Sequence, residues 1–473
     1  MLKNLCQLLT VALAIAASSG TGADGRSVSR RSTAVDHEGE TLFISRNVTS
    51  GELDIPSVVD ERGEPLDQPR LVLPRAGGWN YGSQKVRGVN IGGWLVSEPF
   101  IKPSLYDNTN DNRVVDEYTM GQYKGVNDAC SRLQSHWASW ITADDFRQIK
   151  AANLNHVRIP IGYWAFDDKH ATYCKSNQFD YLTRAVGWAR DNGLKVMIDL
   201  HGAPFSQNGF DNSGHRGSAN WFNNKDYANR AKAAITAIAK RFTTSEYADT
   251  VTSIELLNEP LTTNGDSGQR LQFAKDYASD AYYAVRYAQG SNPTSVNVAF
   301  QEGFQNLNVY DNFMRPPNFQ NVLLDHHIYS IFNENIYLSH KDRLQYYCNQ
   351  RGDISSANGK HYLVTGEWTT SPTDCTRYLN GRGIGSRYDG SYSGFNSQGS
   401  CKGKTGSGSS FSSTFKSQLK DLFDTQRNVY EKSGSGWIFW TWKTESADEW
   451  SYQAGLKYGW ITRNLDSAGN VKC

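Results

Sequence analysis

Val251-Thr-Ser-Ile-Glu-Leu-Leu-Asn-Glu-Pro260 is a β-branched and apolar run closed by Asn-Glu-Pro, and it carries two glutamates four positions apart. Its composition predicts a strand over Val251–Asn258. In a strand Glu255 and Glu259 share a facing, with Glu255 about 13 Å deeper. That deeper place suits a buried ion pair. Glu259, followed by Pro260, ends the strand and reaches whatever lies beyond it.

Working outward, the same unit recurs: a short apolar run, a loop, then a longer stretch of helical periodicity. The runs are 87–92, 155–163, 195–201, 251–258, 295–301, 322–329, 362–368 and 436–442, eight in all. Thr142-Ala-Asp-Asp145 is a capping pattern opening a helix to about Leu154, and Asp191-Asn-Gly193 closes the next one. Residues 228–242, 271–287 and 412–430 read as amphipathic helices. Eight strands alternating with helices predict an α/β fold, an eight-stranded parallel β/α (TIM) barrel with long active-site loops; an open α/β sheet is the alternative. Residues 381–410, rich in Gly and Ser, are too long for an ordinary connection and are expected to form a surface loop pinned by a disulfide.

Lys3, the apolar run Leu8–Ala17 and the small residues that follow predict an export signal over residues 1–20. Residues 21–80 read as a propeptide and N-terminal extension, with a dibasic pair, Arg30-Arg31, in a polar stretch expected to be unfolded; 81–473 is the catalytic domain. Asn47-Val-Thr49 is a glycosylation sequon. Outside the signal lie Cys130, Cys174, Cys348, Cys375, Cys401 and Cys473, an even set that favours three disulfides in a secreted protein, with no spacing suited to zinc. With 49 Lys+Arg against 48 Asp+Glu there is no broad field to hold nucleic acid or a membrane, so a neutral substrate is expected. Thirteen Trp and 25 Tyr supply flat faces suited to sugar rings as well as to core packing.

A β/α barrel carries its active site at the C-terminal ends of its strands. The polar and aromatic residues there are Glu98, Arg158, His201, Asn258, Glu259, His327, Tyr329, Glu367, Trp440 and Trp442. Any one of them alone has a structural explanation; their shared placement is what points to chemistry. No GxSxG, GxxxxGK[ST] or HExxH motif competes, and Gly88-Val-Asn-Ile-Gly-Gly93 lacks the dinucleotide order. Two glutamates on the fourth and seventh strands match glycoside hydrolysis, in which one carboxyl protonates the leaving oxygen and the other attacks the sugar.

Leu257-Asn-Glu-Pro260 and Thr365-Gly-Glu-Trp368 resemble the two signature strand ends of glycoside hydrolase family 5. Arg87–Trp94 with Glu98-Pro99, Val157–Trp164, Leu200–Ala203, Ser206–Gly214, Asp325–Tyr329 and Gly436–Glu445 resemble its fungal exo-β-1,3-glucanase branch. The resemblance covers about 85 to 473 and implies a secreted, metal-free and cofactor-free enzyme, expected as a monomer, that releases glucose from β-glucan. It implies Glu367 as nucleophile and Glu259 as acid/base with a raised pKa, the two carboxyls about 5 Å apart with configuration retained. By the same resemblance Arg158 and Tyr329 keep Glu367 ionised, Asn258 binds the 2-hydroxyl, His201 and His327 bond sugar and carboxylates, and Trp440 floors the pocket. Glu98, Asp211 and Asn212 would close its end, and Phe210 with Phe332 would clamp the incoming chain. Family pattern suggests Cys375–Cys401 and Cys348–Cys473, leaving Cys130 with Cys174. An endo-acting or β-1,6-glucanase, or an inactive glucan-binding protein, are the alternatives.

Overall fold

The computed structural model describes residues 30–35, 41–46, 57–59 and 78–473, apart from 168, 170, 171, 291 and 292. The export signal and the Asn47 sequon lie outside the described residues. Eight parallel strands close into a barrel: β1 (Val86–Asn90), β2 (His156–Gly162), β3 (Lys195–Gly202), β4 (Val251–Glu255), β5 (Asn297–Gln301), β6 (Val322–His327), β7 (Tyr362–Glu367) and β8 (Gly436–Phe439). β8 pairs β1 to complete the ring, Phe439 lying beside Val89.

These segments are strands because they are short, rich in Val, Ile and Leu, and buried on both faces: every residue of β2, β4, β5 and β8 is buried. The outer layer is helical. Thr142 and Asp145 form a reciprocal cap on Ala143–Ala151, which stops short of Leu154 because Asn153 turns left-handed (φ 62°). Gln178–Asp191 ends before Gly193 (φ 64°), and Lys225–Phe242, Ser267–Arg286 and Ser413–Ser433 fall where periodicity placed helices. Burying each Val, Leu, Ile or Phe between the layers contributes about 1.5–3 kcal/mol.

The folded body begins earlier than residue 86. Tyr81, Val86, Met197, Ala299, Leu323, Val364 and Ile438 form a second apolar cluster with Trp79 against it, and the Tyr81 hydroxyl lies 2.9 Å from Thr252 Oγ1. Arg30–Val35, Thr41–Arg46 and Ser57–Val59 form a small antiparallel sheet, so Arg30-Arg31 lies in a strand and not in an unfolded stretch. Thr33, Val35, Phe43, Ile44 and Val58 are strand-formers that the polarity of the whole segment hides. The disulfides are Cys130–Cys174, the pair left over, and, as the resemblance implied, Cys348–Cys473 and Cys375–Cys401. The last of them ties down the long loop after β7. No helix among the described residues is long and apolar enough to cross a membrane.

β4 is shorter than its sequence suggests. It ends at Glu255, and Glu259 adopts φ 44°, so the two-residue alternation does not run from one glutamate to the other. Backbone bonds from Leu256 to Ala299 and from Asn258 to Leu200 keep the chain against its neighbours while it turns out of the sheet.

Candidate active site

Arg158, in the middle of β2, is fully buried and organises the barrel interior. Its Nε donates to Glu255 Oε2 (2.7 Å), its Nη1 to Asn90 Oδ1 and Glu367 Oε1 (3.0 Å each), and its Nη2 to Asn258 Oδ1 (2.8 Å). Asp199 Oδ2 lies 3.2 Å from Nη2 and Asp325 Oδ2 3.5 Å from Nε. Burial opposes its charge, but Asp199, Glu255, Glu367 and Asp325 outweigh burial and hold the guanidinium ionised. Glu255 is thus a buried ion-pair residue, as expected, but not at a strand's length from Glu259. Its carboxylate lies within 4.8 Å of Asp325 and His327, and His327 in turn bonds Glu259, so one imidazole separates the two glutamates.

Glu367 ends β7 beside His327 at a register shift that follows Thr365. Gly366 makes the shift possible: a Cβ there would lie 2.0 Å from Asp325 Oδ1. Glu367 accepts from Arg158 and, at 2.9 Å, from the Tyr329 hydroxyl. Glu259 accepts from Asn212 Nδ2 (3.2 Å) and pairs with His327 Nδ1 (2.9 Å), which is 3.6 Å from Glu367. Oxygens of Glu259 and Glu367 and a His327 nitrogen lie within 4.8 Å of one another. Such a trio, like Glu255, Asp325 and His327 beneath it, has metal-ligand proximity. Here the Arg158 guanidinium and a charged His327 already supply the positive charge that these carboxylates face.

The protonation pattern departs from expectation. Burial pushes Glu259 up, but the His327 bond and charge outweigh it, and its pKa is lowered rather than raised. Glu367 is raised, by burial and by the Glu259 charge against the pull of His327 and Arg158. His327 itself, despite burial, is held well above the ordinary imidazole value by Glu367, Asp325 and Glu259. Within this pair the electrostatics favour the proton on His327 over Glu259.

The remaining residues converge on the same space. His201 Nδ1 bonds Asp199 (2.6 Å) and its ring stacks parallel on Trp440, 5.6 Å between centroids. Its Nε2 is buried without a partner, as are Asn258 Nδ2 and Glu98 Oε1, all polar atoms able to meet a hydroxylated ligand. Burial drives Glu98 well above the carboxyl range, reinforced by Asp211, Glu367 and Glu259; Asp211 is raised to about 7, chiefly by burial. Tyr329, raised by burial and by Glu367, stays a donor. Phe210 and Phe332 are both exposed, but the ring next to Phe210 is Phe304 (6.3 Å), while Phe332 stands edge-on to Tyr329 (5.4 Å). Trp442 is buried and donates to Asp145, a structural role.

Sequence reading missed several supports. Asp199 and Asp325 each precede a site histidine by two residues on a strand, so period-two facing could have found both. Gln207 donates to the His201 and Asn258 carbonyls (2.8 and 2.9 Å), and Glu302, just past β5, accepts from the His327 backbone N–H. Phe304 left no readable signal.

Residues 119–383 match the family model Cellulase (glycosyl hydrolase family 5). A probable glucan 1,3-beta-glucosidase A from Aspergillus niger is 45% identical over 377 residues, 79% of this chain and 86% of that protein. A glucan 1,3-beta-glucosidase from Blumeria graminis is 41% identical, covering 85% and 91%. Among solved structures, rutinosidase from Aspergillus niger has a TM-score of 0.63 at 19% identity, covering 81% of this chain and 99% of that one, a likeness of fold.

Proposed function

This chain belongs to glycosyl hydrolase family 5, and on that premise we propose that it is a retaining exo-acting glycosidase that removes glucose from the non-reducing ends of β-1,3-glucan. The observation that carries the mechanism is the approach of the Glu259 and Glu367 carboxylates to within 4.8 Å. A separation near 5 Å leaves no room for water between carboxylate and sugar and calls for direct attack, whereas inversion needs a wider gap.

Glu367 attacks the anomeric carbon while the bond to the leaving oxygen breaks and Glu259 gives that oxygen its proton. The proton reaches Glu259 by transfer along the 2.9 Å bond from His327 Nδ1, which leaves a neutral imidazole and removes both the Glu259 charge that raises the Glu367 pKa and the His327 charge that lowers it. Arg158 and Tyr329 then favour the Glu367 anion. In the second half Glu259 takes a proton from water, the water oxygen bonds the anomeric carbon, and Glu367 is released. Asn258 Nδ2 is the donor for the sugar 2-hydroxyl, and His201 with Trp440 forms the wall under the ring.

Glu98, Asp211 and Asn212 support exo action: two carboxyls of raised pKa and an amide at one end suit the hydroxyls of a terminal sugar and leave little place for a continuing chain. The relatives' names favour β-1,3-glucan as substrate, and the N-terminal export pattern favours a secreted protein. Proton NMR of a laminarin digest tests the assignment. β-Glucose as the first product, before mutarotation, is expected; α-glucose first would overturn retention, and early oligosaccharides would overturn exo action in favour of an endo-glucanase.

A further inference from the structure

The segment after β6 and the long loop after β7 together carry a feature that hydrolysis of one terminal sugar does not use. We propose that Phe332, Tyr392, Phe395 and Tyr337, gathered around Arg387, form an accessory binding strip for the part of a β-glucan chain that lies outside the pocket. The proposal rests on the β-glucan reading above.

The strip starts at the reacting centre. Tyr329, whose hydroxyl donates to Glu367, packs edge-on against Phe332. Beyond Phe332 comes the Arg387 guanidinium, 5.8 Å from the Phe332 ring centre, 5.3 Å from Phe395 and 3.9 Å from Tyr392. Phe395 then meets Tyr337 at 6.1 Å with their planes 32° apart. Phe332 and Tyr337, at the two ends, are 38% and 39% exposed, and Tyr392 and Phe395 are half-buried between them. Exposed rings in a row leading away from a pocket are a site rather than scatter.

Charge indicates the kind of occupant. Arg387 is held by Asp374 Oδ2 (3.2 Å) and Asn380 Oδ1 (2.6 Å), so its charge is matched within the loop and is not offered to an anion. What remains outward is the exposed part of Phe332 and Tyr337, uncharged ring surface that suits a neutral ligand with flat C–H faces. The strip is also preorganised: the Cys375–Cys401 disulfide closes the loop, and the Asn396 backbone N–H donates to the Tyr337 hydroxyl at 3.1 Å. Little ordering entropy is then lost when a chain lies on it.

The test compares a long β-1,3-glucan with the β-1,3-linked glucose disaccharide, which ends at the pocket mouth. For Tyr337→Ala the kcat/KM on the polymer should fall roughly fivefold, and further in the Tyr337→Ala/Phe395→Ala double variant, through KM. Disaccharide turnover should stay within about twofold of wild type, which also reports that the variants fold. Tyr337→Phe, which keeps the ring and loses only the tether, should cost no more than about twofold on the polymer. Equal losses on both substrates, no loss on the polymer, or a Tyr337→Phe defect matching that of Tyr337→Ala would each overturn the strip. A wild-type protein that leaves the disaccharide intact would overturn the β-glucan reading itself, whereas loss of the length preference alone removes only the strip.

Discussion

Two sets of carboxyls share one guanidinium inside this barrel, and they leave their unpaired atoms in different company. Below Arg158, the free oxygens of Asp199, Glu255 and Asp325 face protein. Glu255 is raised well above its ordinary value by burial and by Asp325 and Asp199 against the pull of Arg158, while Asp325 is lowered by His327 and Arg158. Above Arg158, Glu98 Oε1, Asn258 Nδ2 and His201 Nε2 are buried without a partner, and the His201 ring stacks on Trp440. The lower set gathers around Arg158 and His327; on the proposed function, the upper set is the one a substrate completes. A buried polar atom is therefore a clue to function only when no second polar group stands ready to complete it.

The strongest way to break this contrast is to remove an upper carboxyl. Glu367→Ala should lower kcat by roughly a thousandfold or more with thermal unfolding close to wild type. Added azide should restore turnover and give α-glucosyl azide, the product of a single inversion; the same rescue in Glu259→Ala should give the β-azide. Swapped products would exchange the two roles. Arg158→Met comes next, because it takes the shared cation from both sets. It should cost about 3–5 kcal/mol in urea unfolding, the range for stranding buried charges, together with most of the activity. A fully stable Arg158→Met protein would mean that the lower carboxyls are neutral without it.

How much of this was legible follows from which facts are local. Eight strands could be read because each is a continuous apolar run, and the two glutamates of the site because Pro260 follows one and Gly366 precedes the other where runs end. The overextension of β4 to Asn258 had a local cause too: Leu256 and Leu257 look like strand, while the turn at Glu259 lies in a backbone angle that no side chain announces. The protonation pattern was not legible at all. It depends on His327 standing 2.9 Å from one glutamate and 3.6 Å from the other, a difference set by the β6–β7 register. Phe304, at φ 62° beside Phe210, is likewise a product of loop geometry.

Gly366→Ala sharpens the contrast from between the layers. The added methyl meets Asp325 from below the register shift that presents Glu367 above it, so a loss of about 1–3 kcal/mol should accompany a fall in kcat. Stability loss with unchanged kcat would show that the two sets are mechanically separate. The pH profile gives a gentler probe. Activity should fall on the acid side as Glu367, with its raised pKa, takes a proton, and on the alkaline side as the proton shared by His327 and Glu259 is lost. Asp325→Asn removes one of the charges that raise His327, so the alkaline limb should move to lower pH while the acid limb moves less.

The smallest effect is the most discriminating. Glu255 and Glu259 are four residues apart, both are buried, and both touch a cation, yet only one is placed to exchange its proton with a substrate. Burial and the charges of Asp325 and Asp199 raise the Glu255 pKa against the pull of Arg158, so glutamine, which keeps the shape and an oxygen for the Arg158 Nε–H, is a mild replacement. Glu255→Gln should therefore unfold within about 1 kcal/mol of wild type and keep kcat within about threefold, with both pH limbs in place. Glu259→Gln, an identical chemical change four residues on, should lose kcat by roughly a hundredfold or more on substrates with poor leaving groups and much less on activated aryl glucosides. A Glu255→Gln variant that lost activity in the same leaving-group-dependent way would place the movable proton in the lower set, and His327 would then pass it upward from Glu255 rather than holding it for Glu259 alone.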